Sequence, residues 1–310
     1  MLNQSKILVT GGSGMVGKAL KKLIPKAVFL SSSEYDLRNQ DQTFDLFHSV
    51  KPVKVFHLAA KVGGVKANSD YIGEFYYENT MINTNVLEAA RRFDVAKVVS
   101  LLSTCVFPAA ANYPLTEDQV HNGEPHETNF GYAYAKRMLD VQSRAYRQQY
   151  GCNFVTASPN NLYGENDNFH LEDSHVLPAI IRKIHEAKLH NKNVVLWGDG
   201  SPLREFTYCG DIARALLFVM ENYSEEHPVN IGSSEEISIK TAAEIIAEEL
   251  EYTGKIVWNT NLPSGQFRKP SSSEKMTSLG WSQEEYIKFE EGIRKTCNWF
   301  NNNYPKIRGI

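Results

Sequence analysis

The stretch that decides the fold is Thr10-Gly11-Gly12-Ser13-Gly14-Met15-Val16-Gly17. Its glycines satisfy two spacings at once: GxxGxxG through Gly11, Gly14 and Gly17, and GxGxxG through Gly12, Gly14 and Gly17. Before it, Lys6–Thr10 is a short apolar run that reads as a strand. After it, residues 15–23 carry a helical pattern that Pro25 stops. Glycines so placed make a tight turn, let the backbone approach a pyrophosphate, and aim free helix N–H groups at an anion. The bland alternative is a glycine turn with no ligand. The position between a first strand and a first helix favours a dinucleotide loop.

Working outward, residues 28–30 and 53–58 read as strands, 76–92 as a long helix and 97–102 as a strand. A helix over 132–150 and a strand over 153–158 follow. Strands and helices alternating in this way predict right-handed βαβ units and a doubly wound, Rossmann-type parallel sheet. After Gly164 the rhythm loosens into a polar loop at 165–174, a helix at 176–189, a strand at 194–197 and a turn at 198–202. A helix near 212–223, a strand at 229–231 and two further helical patterns complete the chain. The expected division is a cofactor domain over 1–164, rejoined by some later segments, and a smaller α/β substrate domain over 165–310.

Composition excludes several classes. The 310 residues are 42% hydrophobic and 22% charged, with a formal charge of −3, which gives no sign of a nucleic-acid or membrane partner. No apolar run reaches membrane-spanning length, and the N-terminus lacks a secretory h-region. Four scattered cysteines, Cys105, Cys152, Cys209 and Cys297, form neither a disulfide framework nor metal-ligand spacing, so a reduced, cytoplasmic setting without a metal is expected. His121 and His126 lie in a polar loop and read as solvated.

The second strand ends in Ser31-Ser32-Ser33, with no carboxylate until Glu34. An acid there holds the ribose hydroxyls of NAD, whereas hydroxyls tolerate a 2′-phosphate, so NADP(H) is favoured. Asp36 and Leu37 either border the adenine or, for the aspartate, cap a helix. Further on, Tyr132-Ala133-Tyr134-Ala135-Lys136 contains Tyr-x-x-x-Lys. On a helix this spacing puts the ammonium one turn from the phenol, where it would lower the phenol's pKa and fit it for proton transfer to a carbonyl. Tyr134 has Met138 at the corresponding position, which leaves Tyr132 as the candidate.

Together the glycine loop, Leu58-Ala59-Ala60, Ser103 and Tyr132-x-x-x-Lys136 resemble the extended short-chain dehydrogenase/reductase family. The stretches Val62-Gly63-Gly64, STCVFP at 103–108, PNNLYG at 159–164, DNFHLEDSHVLPAIIRKIHEA at 167–187 and VVLWGDGSPLREF at 194–206 narrow the likeness. They resemble the branch that epimerises and reduces GDP-4-keto-6-deoxymannose, and the resemblance runs from Lys6 to about Phe300. It implies NADPH-dependent formation of GDP-L-fucose, with inversion at C3 and C5 and reduction at C4. Within it, Ser103, Tyr132 and Lys136 serve the reduction. Cys105 is the epimerisation base, and His175 is the acid on the opposite face. A thiol can fill that role where a cationic neighbour favours its thiolate.

The same resemblance places the cofactor at Gly11, Gly12, Ser13, Gly14, Met15, Val16, Gly17, Ser32, Asp36, Leu37, Ala59, Ala60, Tyr132, Lys136, Pro159, Asn161, Leu162 and His175. It gives the sugar nucleotide Asn161, Lys183, Trp197, Arg204 and Lys269, although Trp197 also reads as a strand-end core residue. A homodimer through the helices at 76–92 and 132–150 is implied as well. The sequence departs from the branch at Asn160, where threonine is usual, and at Glu165-Asn166, where Pro-His is usual. Both departures bear on substrate preference. Two other readings stay open: another nucleotide-sugar epimerase or 4-ketoreductase of the GDP-colitose type, and a catalytically idle NADP-binding regulator.

Overall fold

Alternate residues of one four-residue strand face two different cores. Ile7 and Val9 join one buried cluster and Leu8 joins another, as the two-residue period of a strand requires. The structure, a computed structural model, describes residues 4–261 and 267–310. The first half contains β1 (Ile7–Thr10), α1 (Met15–Leu23), β2 (Val28–Phe29), α2 (Gln40–Val50), β3 (Lys54–His57), α3 (Val65–Asp70), α4 (Ile72–Arg92), β4 (Lys97–Leu101), α5 (Phe130–Tyr150) and β5 (Phe154–Pro159). Then come β6 (Asn161–Tyr163), α6 (Val176–Leu189), β7 (Val194–Trp197), β8 (Leu203–Tyr208), α7 (Cys209–Asn222) and β9 (Val229–Ile231). The chain ends with β10 (Glu236–Ser238), α8 (Ile239–Glu249), β11 (Ile256–Asn259), α9 (Glu274–Ser278) and α10 (Phe289–Asn303).

Six strands form one parallel sheet in the order β2-β1-β3-β4-β5-β9. Both its faces are covered, which is why β1 and β4 are buried throughout. On one face Val9, Leu20, Val99 and Leu216 pack together, joining α1 and α7 to the sheet. On the other, Leu8, Phe47, Val98 and Leu139 bring in α2 and α5. The order reverses at β1, and open sheets bind ligands outside the carboxyl ends of strands at such a switch point. The glycine loop, the 58–64 segment and the loop after β4 all leave from that edge.

A three-stranded sheet, β10-β8-β6, and the pair β11-β7 pack with α6, α8 and α10 around a third core that includes Ile184, Ile246 and Phe300. The sequence reading did not anticipate β6, β8, β10 or β11, which are short and pair only with distant partners. It also missed α2, whose pattern QDQTFDLFHSV is largely polar and whose start is set by the Asn39 side chain accepting from Gln42 N. The long helix begins earlier than expected, at Ile72 rather than 76. His121 is not merely solvated: its Nε2 meets Oδ2 of the fully buried Asp140 at 2.8 Å. His126 caps the short turn at 127–129 by accepting from Thr128 N. Among the described residues no helix is long and apolar enough to cross a membrane.

The glycine loop is packed too closely for side chains. Gly11 has φ +68°, and a Cβ there would lie 2.8 Å from Ala59 N; one on Gly17 would lie 2.6 Å from Gly11 O. Gly17→Ala is therefore expected to cost about 1–3 kcal/mol through overpacking against backbone that cannot yield. Denaturant unfolding checks it, together with weakened NADPH binding by titration; unchanged values for both would contradict the packing argument.

Candidate active site

Leu101 ends β4, and the chain then turns through a short helical turn at 104–106. Ser103 caps that turn, its Oγ accepting from Cys105 N at 3.3 Å. The Ser103 hydroxyl keeps its proton to donate, and the Cys105 thiol is free of any disulfide and half-buried. On α5, Lys136 is buried and its Nζ donates to Leu101 O at 2.7 Å. Its ammonium stands 5.9 Å from the Tyr132 ring centroid. One strand end and one helix face therefore bring Ser103, Cys105, Tyr132 and Lys136 together.

The electrostatics differ from the sequence expectation. Burial first, and the neighbouring Cys105 second, push the Tyr132 phenol far above its usual range. Burial of the ammonium also pushes Lys136 down, to about 8. Desolvation of both groups outweighs the attraction that the Tyr-x-x-x-Lys spacing predicts. Burial thus keeps the Tyr132 phenol protonated and brings the Lys136 ammonium within reach of titration at mildly alkaline pH.

His175 caps the start of α6 without a side-chain bond to the helix. Burial first, and the Arg308 guanidinium second, lower its pKa. Nothing in the sequence flagged Arg308, which lies in the last turn of the chain. Contacts link this histidine back to the phenol. Gly64 N donates to Asp173 O at 2.7 Å, and a Cβ on Gly63 would meet the Phe75 ring at 3.1 Å. Phe75 in turn sets its edge on Tyr132, with centroids 6.3 Å apart. The Val62-Gly63-Gly64 loop is thus the joint between the two halves of the site.

The cofactor groove fits its ligand by exclusion. Gly11, Gly12 and Gly17 leave no room for a Cβ, Gly12 N is tied to Leu30 O, and α1 starts after Gly14 with no side chain capping its free N–H groups. Those N–H groups suit a pyrophosphate. Ser13 and Ser32 are exposed at the rim, and Ala59 and Ala60 are half-buried opposite. Ala59 N donates to Thr10 Oγ1 at 3.3 Å. Asp36 does not cap the following helix, which Asn39 does; Arg38 binds the Asp36 carboxylate at 2.9 Å. Arg38 went unnoticed in the sequence because it follows the strand end by several residues. Leu37 is buried among the core residues. Glu34 folds back on Ser31, accepting from its N–H and hydroxyl at 2.8 Å.

Pro159 and Asn161 end one strand and start the next, with Leu162 half-buried behind them. Asn161 Nδ2 donates to Glu205 O at 2.9 Å, which ties β6 to β8. Arg204, on β8, lies in electrostatic reach of Lys269, and Lys269 in reach of Cys105. Lys183 Nζ sits 5.2 Å over the Trp197 ring, and that ring is 47% exposed, so it is not a core residue. Lys183 also borders a recess of about 250 Å³ with Leu171 and Val194. Of the departures noted above, Glu165 accepts from Tyr208 and meets Lys22, and Asn166 accepts from Lys18, so both tie this loop to α1.

The sequence model of the NAD dependent epimerase/dehydratase family matches residues 7–232. The chain belongs to that family. It is 42% identical to a GDP-L-fucose synthase of Dictyostelium discoideum over 97% of each chain. It is 35% identical to a GDP-L-fucose synthase of Escherichia coli over 99% of this chain and all of that one. A crystal structure of a GDP-L-fucose synthetase from Naegleria fowleri bound to NADP superposes with a TM-score of 0.94 at 40% identity, covering 99% of this chain and 96% of the other. Within the family, the chain groups with the GDP-L-fucose synthases.

A depressed lysine pKa means that the ammonium is lost as pH rises through the folded value. We expect kcat/KM for NADPH-dependent reduction to fall above pH about 8 with the titration of Lys136. Tyr132, pushed upward, contributes nothing to that limb. Lys136→Arg keeps the charge and should carry the decline to higher pH; a pH–rate profile unchanged in that variant would assign the limb elsewhere.

Proposed function

We propose that this chain converts GDP-4-keto-6-deoxymannose to GDP-L-fucose, inverting C3 and C5 and reducing C4 with NADPH. The observation that carries this reading is the thiol. A plain ketoreductase needs the serine, tyrosine and lysine, whereas Cys105 shares their chamber and borders Tyr132. The C4 ketone acidifies the hydrogens on C3 and C5. Cys105, as thiolate, takes such a proton, the C–H electron pair passes into an enolate, and His175 returns a proton to the opposite face.

Bound NADPH supplies the hydride that reduces C4. Tyr132 gives its proton to the C4 oxygen, and burial keeps the phenol protonated until then. Ser103 donates to the same oxygen, its own lone pair already engaged by Cys105 N. Gly11 through Gly17 hold the cofactor's pyrophosphate, Ser32 lies at the 2′-phosphate end, and Lys136 holds a ribose while fixing Tyr132. Arg204 and Lys269 face the diphosphate of the sugar nucleotide, and Lys183 with Trp197 forms its base end. In this reading residues 1–164, rejoined by α7 and β9, form the cofactor domain, and most of the rest of 165–310 forms the substrate domain. We place the enzyme in the cytoplasm; its four cysteines are all free.

The test is to supply that substrate with NADPH in deuterated water and identify the product by NMR. Native protein should yield GDP-L-fucose labelled at C3 and C5. Cys105→Ser should lose label incorporation by about 100-fold or more while retaining reduction at C4. Reduction by native protein without inversion would make it a plain ketoreductase. No oxidation of NADPH would leave the regulator reading standing.

We also propose a homodimer. The faces of α4 and α5 leave Tyr76, Tyr77, Met138 and Val141 at least 41% exposed, an apolar stripe suited to a four-helix interface. Met138→Glu together with Tyr77→Glu should give monomers in sedimentation; a native chain that sediments as a monomer would refute the pairing.

A further inference from the structure

The likeness read from the sequence stops near Phe300, yet residues 304–310 reach back over the loop that leads to His175. After α10 the chain turns, with Tyr304 N donating to Phe300 O and Lys306 N to Asn303 O, both at 2.9 Å. Phe169 N then donates to Arg308 O at 3.0 Å. A Cβ on Gly309, which has φ +92°, would run into Asn168 Oδ1 and His170 N. The Phe169 ring is fully buried against α10, stacked on Trp299 at 6.1 Å and set 4.8 Å from Phe300. Tail and loop are thus in close contact along 168–170. The Arg308 guanidinium, carried by the same turn, lies in electrostatic reach of Asp167 and His175.

Arg182 of α6 joins the two. Its Nη1 donates to Phe169 O at 3.0 Å and to Gly309 O at 2.7 Å, and its Nε donates to Glu186 Oε1 at 2.7 Å. The side chain is only 15% exposed, and hydrogen bonds from a charged donor hold more firmly than neutral ones. Arg182 lies seven residues after His175, and two helical turns bring both to one side of α6. The chain from Phe169 to Arg182 is therefore a closed ring, with His175 near its midpoint. Within the ring His170 Nδ1 accepts from Asp173 N at 3.1 Å, and Ser174 N donates to His170 O at 3.2 Å. Gly64 N holds the same turn from outside through Asp173 O. Little slack is left to the residue that starts α6.

We propose that Arg182 and the 304–310 turn form a clamp that positions His175 for its proton transfer. Arg182 is a positioning residue: it acts through Phe169 and Gly309 and takes no proton itself. The inference rests on the reading of His175 as the epimerisation acid. It adds a working part of the chain to which that reading gave no task.

The test follows inversion at C3 and C5 by NMR of the product, with kcat and KM taken separately, beside NADPH binding by fluorescence titration. Arg182→Met breaks the clamp from α6, and Gly309→Ala breaks it from the tail without touching a core residue. Each should lower kcat for inversion about tenfold, with KM and the NADPH Kd within about twofold of native. The double variant should be no slower than the slower single one, since both break one clamp. Arg182→Lys, which can still donate to both carbonyls, should recover most of the rate. Should Arg182→Met not fold, Arg182→Gln serves in its place. A native kcat in either the Arg182 or the Gly309→Ala variant, or a loss confined to KM, would overturn the proposal. Inversion at the native rate in His175→Ala would instead overturn the reading of the acid itself, whatever Arg182 does.

Discussion

A buried ammonium bonded to the last carbonyl of a strand sets the geometry of this protein. Lys136 Nζ meets Leu101 O at 2.7 Å, and this joins α5 to the end of β4, two residues before Ser103 and four before Cys105. Removing that charge from water is costly, as its pKa near 8 records. A second lock holds the same helix from the other side. Asn83 Oδ1 can only accept, so His57 Nε2 donates to it and His57 Nδ1 accepts from the Thr10 hydroxyl, whose oxygen also accepts from Ala59 N. Asn83 Nδ2 then reaches Ala135 O on α5 at 3.3 Å. Burial and the charge of Lys136 push His57 down to about 3, so it stays neutral and this chain of donors keeps one direction.

The chamber built on those two locks separates its proton chemistry by environment. Tyr132 is kept as a donor because burial and the neighbouring thiol both disfavour phenolate. His175 faces an arginine from the C-terminal turn, so part of its lowered pKa comes from a segment more than a hundred residues away. Lys136, Lys269 and Arg204 are all pushed down by burial.

Much of this was legible from residue order. The strand, glycine loop and helix at 7–23, the Tyr132-x-x-x-Lys136 pair and the serine two residues before a cysteine are local signals, set by periods of two and 3.6 residues and by steric demands of single glycines. They carried the parallel sheet, the dinucleotide groove and the reduction chemistry. What local pattern could not carry is equally specific. Strands β6, β8 and β10 are three to six residues long and are held by partners 30 or more residues away, so the sequence around Arg204 showed a turn and no strand. The hold of Arg38 on the Asp36 carboxylate was likewise not legible in residue order.

Sequence alone therefore determined the fold class, the glycine turn between the first strand and first helix, and the Tyr132-x-x-x-Lys136 pairing on one helix face, because each depends on neighbours a few residues apart. Only tertiary structure decided how those side chains ionise. Tyr132 was expected to be acidified by the ammonium one helical turn away, yet burial of the whole chamber dominates. The tail that carries Arg308 towards His175 has no periodic signature at all. A charge acts through space and a dielectric that the complete fold creates, so its effect has no counterpart in the order of residues.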